Sequence, residues 1–362
     1  MTLYELLHET AVSALPLMDA ATGSMQGGHN GPYHHPETPV RNTCHWMMTF
    51  LKVHEITGEQ RFLDAAERAL RYVMSPQARP KGATFWHRDT PGKDSCNGLI
   101  GQAWTMEALL AASEAFNRPD LVRLSEELFL LHPFDESYCV WFPVEIDGTA
   151  LPLDTTFNHQ LWFAAAGGMV AAHCGGEVDR RVRRFLDHLQ ENLDLLPNGL
   201  VWHPLALKAS SWQRAVEFAV RIRQTQKPQS DRYLKAVGYH TFNLYGFGLL
   251  KPRYGTHPFW RSRKFRTLWR HADSPAFKRS LESNKYGYPY NPPGIEMAFA
   301  LEAFGEGNRR TKQQEWMSEQ MRRSYDPGTR MMSRGTLDPV TYAARLYEAT
   351  RLPDMEFILP SR

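Results

Sequence analysis

Leu153-Asp154-Thr155-Thr156-Phe157-Asn158-His159-Gln160-Leu161-Trp162, running directly into Phe163-Ala164-Ala165-Ala166-Gly167-Gly168-Met169, is the stretch whose reading decides the fold. A carboxylate, an amide and an imidazole crowd one helix start. The Ala and Gly run behind them removes bulk from the helix surface, so neighbouring helices can approach closely. The arrangement recurs at Arg41-Asn42-Thr43-Cys44-His45-Trp46, Asn97-Gly98-Leu99-Ile100-Gly101-Gln102, Tyr239-His240-Thr241-Phe242-Asn243, Tyr290-Asn291-Pro292-Pro293-Gly294-Ile295-Glu296 and Asp338-Pro339-Val340-Thr341-Tyr342. Six polar helix starts predict six inner helices round one cavity.

Between these starts the apolar spacing supplies outer partners. Phe62, Ala65, Ala66, Ala69 and Val73, or Leu121, Leu124, Leu128 and Leu131, form one apolar stripe with charged residues opposite. Helices are expected over 3–18, 40–56 with 60–74, 98–116 with 119–131, 157–173 with 177–195, 239–251 with 262–283, 293–304 with 311–325, and 339–351. Short turns such as Thr57-Gly58-Glu59 and Cys174-Gly175-Gly176 fit antiparallel helical hairpins. If the first helix is the outer partner of the last, the chain is an all-α (α/α)6 toroid, a six-hairpin barrel, spanning 1–362 as a single domain with a weak repeat of about 60 residues. An open helical solenoid is the alternative, and the polar motif at alternate helix starts favours closure. Tyr138 to Ile146, followed by Asp147-Gly148, reads as a small β-hairpin insertion, and Asn198-Gly199 precedes another extended piece, Leu200-Val201-Trp202, with a helix following at about 211–224.

The 42 basic and 39 acidic residues are too evenly balanced to make nucleic acid a default partner. Cysteines 44, 96, 139 and 174 show no metal or disulfide spacing, and Met1-Thr2-Leu3-Tyr4-Glu5 carries no signal-peptide character. No run approaches the ~20 apolar residues of a membrane span. A cytoplasmic protein with reduced thiols is expected, without membrane association and compatible with an oligomer. Ten Trp, fourteen Tyr and fifteen His exceed what a core requires and suggest a lined cavity, because each keeps a polar tip when half-buried. No phosphate-binding glycine loop, GxSxG or dinucleotide fingerprint occurs, and no cofactor is expected. His29, His34 and His35 lie in a Gly- and Pro-rich loop without the spacing of a metal site, so no metal is assigned.

Asn158 and His159 are the leading catalytic candidates: an amide can neutralise a carboxylate, and an imidazole exchanges protons near neutral pH. Either is equally a helix cap. Tyr239 and His240 head the next inner helix as a second acid–base pair, or as a hydrogen-bonded core pair. Asp94 and Asp154, 60 residues apart, begin consecutive inner helices and offer a carboxylate pair for proton transfer; Asp is also a common cap. Trp86, His87 and Arg88 match a sugar face and its carboxylate, which an indole and a guanidinium would hold. Arg41, Asn42, Asn97, Gln102, Gln160, Lys235, Tyr245, Tyr288, Tyr290 and Asp338, at or near the helix starts, complete the expected substrate contacts.

Asn158, His159 and Trp162, with Lys235, Ala236, Tyr239 and His240, resemble two motifs of the toroid alginate lyases. That resemblance implies uronate binding and β-elimination. Lys235 stands where that family has Arg, and Phe242 where its catalytic Tyr aligns, so Tyr239 or Tyr245 would take that role. The paired Asp94 and Asp154 resemble those of the unsaturated uronyl hydrolases, which implies hydrolysis instead. Taken whole, with the His29 loop, Ala83 to Arg88 and Asn97 to Trp104, the chain resembles the AglQ family of bacterial polysaccharide gene clusters, which implies a carbohydrate context and no particular mechanism. The expected function is a lyase acting on uronic-acid-containing oligosaccharides or polysaccharides. A glycoside hydrolase, a sugar epimerase and a non-catalytic glycan-binding protein are the alternatives.

Overall fold

The computed structural model describes residues 1–207 and 211–359, and the side chains of all of these except 211–215. In chain order the helices are α1 (Leu3–Ala14), α2 (Val40–Thr57), α3 (Gln60–Val73), α4 (Gly98–Phe116), α5 (Pro119–Leu131), α6 (Phe157–Cys174), α7 (Gly176–Asp187), α8 (Leu189–Asn192), α9 (Ser211–Thr225), α10 (Asp231–Gly238), α11 (His240–Tyr254), α12 (Arg263–Ala272), α13 (Pro275–Leu281), α14 (Pro293–Phe304), α15 (Arg309–Ser324) and α16 (Pro339–Ala344). A 3₁₀ segment, Arg345–Arg351, continues α16.

α2, α4, α6, α11, α14 and the α16 segment are buried on nearly every side, as befits helices with apolar residues all round. α2 packs on α4, α4 on α6, α6 on α11, α11 on α14, α14 on the 3₁₀ segment, and that segment on α2, which closes the ring. α1 packs against α2 and the last segment, and the Leu3 N–H donates to the Met355 carbonyl at 2.8 Å, so the first helix is the outer partner of the last. The (α/α)6 toroid is therefore the architecture. The Ala-Gly run acts as expected: a Cβ on Gly167 would lie 2.2 Å from the Phe129 ring of α5.

Boundaries depart from expectation where local chemistry intervenes. The helix expected over 262–283 breaks at Ser274, which caps α13 by accepting from the Phe277 N–H ahead of Pro275 at the first helical position. The helix expected over 177–195 kinks at His188, with α8 resuming at Leu189. α10 was not anticipated; Ser230 caps it through the Tyr233 N–H. Val140–Trp141 pairs antiparallel with Phe134–Asp135, ahead of the hairpin predicted there, while Val144 bridges Ala150 around Asp147-Gly148. A second small hairpin, Tyr325–Asp326 with Met331–Met332, had no counterpart in the sequence reading.

Gln102 and Gln160, expected to touch substrate, are buried clamps instead. Gln102 accepts from the Phe85 N–H at 2.9 Å and donates to the Phe85 and Cys96 carbonyls at 3.0 and 2.8 Å. Gln160 repeats this on the next inner helix, accepting from the Trp141 N–H at 2.9 Å and donating to the Trp141 and Asp154 carbonyls at 2.8 and 2.9 Å. Each amide ties an extended segment to a helix start, satisfying backbone groups that water does not reach. Gln160→Met keeps the volume and removes all three bonds; a loss of about 2–4 kcal/mol in denaturant unfolding is expected. A loss below about 0.5 kcal/mol would mean that water takes over the bonds of the amide.

Candidate functional site

Helix α6 follows Thr156, which makes no side-chain cap bond, and the carboxylate two residues before Thr156 is bound elsewhere. Asp154 accepts from the Thr156 N–H through Oδ1 at 2.9 Å and holds His159 Nδ1 through Oδ2 at 2.7 Å. Burial alone would raise the Asp154 carboxyl, but His159 and the Thr156 N–H outweigh it and hold it at about 2. The ionised carboxylate fixes the imidazole with Nδ1 protonated and leaves Nε2 for the cavity. Gly98, at φ +56°, makes room for this pair: a Cβ there would stand 3.1 Å from Asp154 Oδ2 and 3.5 Å from His159 Nδ1.

His159 faces a cavity of about 440 Å³ at the mouth of the ring. The inner helices reach it through Arg41, Asn97, Asn158, Tyr239, Asn291 and Arg345, and Tyr290, Lys235, Arg88, Lys93, His35 and His203 fill the wall between them. Arg41, Arg88, Lys93, Lys235 and Arg345 line it, and no Asp or Glu does among the described residues. The carboxylates sit behind the cations. Glu37 accepts both 3.1 Å bonds from Arg41, Asp94 holds Arg88 at 2.8 Å, Asp231 holds Lys235 at 3.2 Å, and Glu296 with Glu348 holds Arg345 at 2.8 and 2.7 Å. Asn158 is buried, with an Oδ1 that has no protein partner.

Three phenols close one side. Tyr239 and Tyr33 share a hydrogen bond of 2.9 Å, and Tyr290 donates to Asn30 Oδ1 at 2.7 Å. Burial pushes all three above the ordinary phenol range. Tyr239, expected as half of an acid–base pair, thus keeps its phenolic proton at neutral pH. His203, absent from the sequence reading, is brought alongside because its carbonyl accepts from the Phe157 N–H at 2.9 Å. Burial, then the neighbouring His159 and Lys235, hold its imidazole down at about 3, so it is neutral.

The structure brings Asn158, His159, Tyr239, Arg41, Arg88, Asn97, Lys235 and Tyr290 together, and sets the other candidates apart from the cavity wall. His240 is buried behind, its Nδ1 accepting from the Val201 N–H at 3.3 Å and its Nε2 bonded to the Leu268 carbonyl at 3.0 Å, so both ring nitrogens are used. Asp94 anchors Arg88 and the Gly98 N–H and is not presented to the cavity. Asn42 holds the Gln26 carbonyl at 2.9 Å. Trp86 donates to the Arg88 carbonyl at 2.8 Å, and His87 bonds Thr105 at 2.8 Å within the core. Tyr245 reaches the Glu348 carbonyl at 3.0 Å in the barrel interior, and Tyr288 lies under Arg323 at 4.5 Å. Asp338 caps α16 and ties down the His29 loop through the His29 N–H at 2.8 Å. Of the histidines in that loop His29 stacks on His34 and only His35 reaches the cavity, together with Asn30 and Tyr33.

No protein-family model matches the chain. Archaeal glycosylation protein Q of Haloferax volcanii is 45% identical over 370 residues, covering 99% of each chain. Among solved structures, cellobiose 2-epimerase of Spirochaeta thermophila superposes with a TM-score of 0.66 at 15% identity, over 96% of each chain. An α-1,6-mannanase of Salegentibacter, described as inactive with two consecutive aspartates replaced by asparagine and in complex with α-1,6-mannotriose, superposes with a TM-score of 0.61 at 10% identity, over 96% of this chain and 98% of that one. These two likenesses establish a shared toroid. Among the described residues no helix is long and apolar enough to cross a membrane.

Because the Asp154 carboxyl lies below its ordinary 3.8, the stability that its pairing contributes is present above that value and is lost as pH falls through about 2. Asp154→Asn should therefore flatten the acid limb of the stability–pH curve between these values, by on the order of 1–2 kcal/mol. Parallel acid limbs in wild type and variant would show that the pair does not carry this linkage.

Proposed function

Because the chain belongs to the family of archaeal glycosylation protein Q, we propose that it is a carbohydrate-active enzyme that removes the ring proton beside the carboxylate of a uronic acid residue, with His159 as base. The observation that carries this is the Asp154–His159 pair, whose free imidazole nitrogen faces a cavity walled by cations. A C5 proton is made acidic by its adjacent carboxylate, and the negative charge that develops there needs donors and cations already in place. Asn158, Lys235 and Arg88 supply them. Asp154 stays ionised and stabilises the imidazolium as it forms.

The resulting carbanion has two fates. Return of a proton from the Tyr239 phenol to the opposite face inverts C5, and exchange with solvent then removes the proton from the His159 imidazolium and restores the phenol. This epimerisation is the reading we favour, because a relative described as a glycosylation protein fits a product that remains part of a glycan. The second reading is β-elimination, in which the C4 substituent leaves as the C4–O bond breaks. The Tyr239 phenol, kept protonated by burial, supports it as the acid for the departing oxygen. Hydrolysis fits less well: Asp94 is bound to Arg88, Asp154 to His159, and the chain contains no consecutive aspartates like those replaced in the inactive mannanase.

Incubation with uronic-acid-containing oligosaccharides in D2O distinguishes these fates. Epimerisation incorporates one non-exchanging deuterium at unchanged chain length. Elimination produces the ultraviolet absorbance of a conjugated enol-uronate, and new reducing ends without either signal would overturn the proposal. His159→Ala should lower turnover on the order of 10²-fold or more, the usual scale for a general base.

A further inference from the structure

A second cavity, of about 520 Å³, opens beside the first and shares His203 and Lys235 with it. Its remaining walls are of a different character. The extended segment after Gly199 contributes the Trp202 indole, and α9 contributes Val220 and Glu217. Asp194 and Asp231 stand at its ends, with Arg232 beside Asp231 on α10. Both end carboxylates are held: Asp194 by Arg221, and Asp231 by the Tyr286 hydroxyl at 2.7 Å and Lys285 at 2.9 Å.

We propose that this side cavity binds a neutral sugar residue joined to the uronate in the central cavity. The inference deepens the acidic-sugar reading above and rests on it. The two cavities sort charge. The central one presents cations with their carboxylates behind, whereas the side one sets an indole among three carboxylates and two cations, Arg232 and Lys235, with Asp194 and Asp231 already ion-paired. A pyranose without a carboxylate fits that wall: its C–H face lies on an apolar ring, and its hydroxyls donate charge-assisted hydrogen bonds to carboxylates. A second uronate would meet the Glu217 carboxylate there, and it would have to compete with Asp194 and Asp231 for the cations that already hold them. The shared wall of His203 and Lys235 makes the two spaces neighbours, as two linked residues require. The substrate class is thus an oligosaccharide in which a uronic acid adjoins a neutral hexose.

Calorimetric titration tests this with three sets of probes: free uronic acids, disaccharides joining glucuronic or mannuronic acid to glucose, galactose or mannose, and the corresponding uronate–uronate disaccharides. At least one uronosyl hexose should bind about 10-fold tighter than its free uronic acid, the scale of one stacked ring with its hydrogen bonds. Trp202→Ala should abolish that gain and leave the free acid unaffected. Glu217→Ala, at an exposed position of α9, should reduce the gain without disturbing the fold. No gain for any uronosyl hexose, an equal gain for uronate–uronate pairs, or equal loss of free acid and disaccharide in Trp202→Ala would overturn the side cavity as a neutral-sugar subsite while leaving the acidic-sugar reading standing. Trp202-dependent binding of cellobiose with no uronate binding would keep the subsite and remove the acidic reading. Absence of binding by every probe would overturn both.

Discussion

Inner helices that begin at one cavity leave backbone donors and carbonyls where solvent reaches poorly, and the rest of the molecule depends on how these are satisfied. Gln102 and Gln160 do it with side-chain amides that each clamp an extended segment through both its N–H and its carbonyl. The third bond of each goes to a carbonyl two or three residues ahead of the helix, that of Cys96 or Asp154. The clamps therefore fix more than backbone. They set the approach of the segments carrying Asp94 and Asp154, and through them the placement of Arg88 and His159. Asn291 does comparable work farther round the ring, donating to the Gly238 and Tyr286 carbonyls at 2.9 Å each.

Beneath the cavity a second buried arrangement fixes its floor. Arg345 sits between Glu296 and Glu348 and also contacts Asn291, while Thr241 donates to Glu296 at 2.6 Å. Burial raises both carboxyls, and the Arg345 guanidinium opposes this. Two acids against one cation in such a place do not maximise stability, because desolvation of buried charges offsets much of their attraction. What the arrangement does secure is position: one guanidinium is bound to Glu348 on its own segment, to Glu296 on α14 and to Asn291 just ahead of α14, and it lines the cavity.

The ring itself was legible because helix starts and apolar stripes are local signals, and each inner helix lay within about one residue of its expected start. The site was legible in part, for a physical reason. A buried amide that clamps backbone and an amide that grips substrate leave the same mark in a sequence, so Gln102 and Gln160 read as ligands. Tyr239 and His240 are adjacent, but one residue turns a helix by about 100°, which sends His240 to the core side. Asp94 and Asp154 occupy equivalent places, yet one meets Arg88 and the other His159, and only tertiary contact separates those outcomes. Arg345 did not stand out, since its pair with Glu348 three residues on reads as an ordinary helix ion pair and its other carboxylate, Glu296, is 49 residues away. His203 sits in an extended insertion whose position beside α6 depends on backbone pairing of Phe157 with its carbonyl.

The sorting of charge gives the site its direction. α4, α6 and α11 present their N-terminal ends to the cavity through Asn97, Asn158 and Tyr239, and the N-terminus of a helix carries partial positive charge that favours anions. The lining cations act in the same sense, and their carboxylates lie on the far side. Under the proposed function an anionic sugar would be drawn to a place where an added negative charge is stabilised before any proton moves, which is the condition carbon-acid chemistry sets. Asp154, held ionised by the imidazole and the Thr156 N–H, places one negative charge against His159 Nδ1 and none in the cavity. Among the described residues His203 has no carboxylate hydrogen-bonded to its ring, and burial keeps its imidazole neutral. The two imidazoles of one cavity therefore stand in unequal surroundings, one against an ionised carboxylate and the other in a desolvated wall.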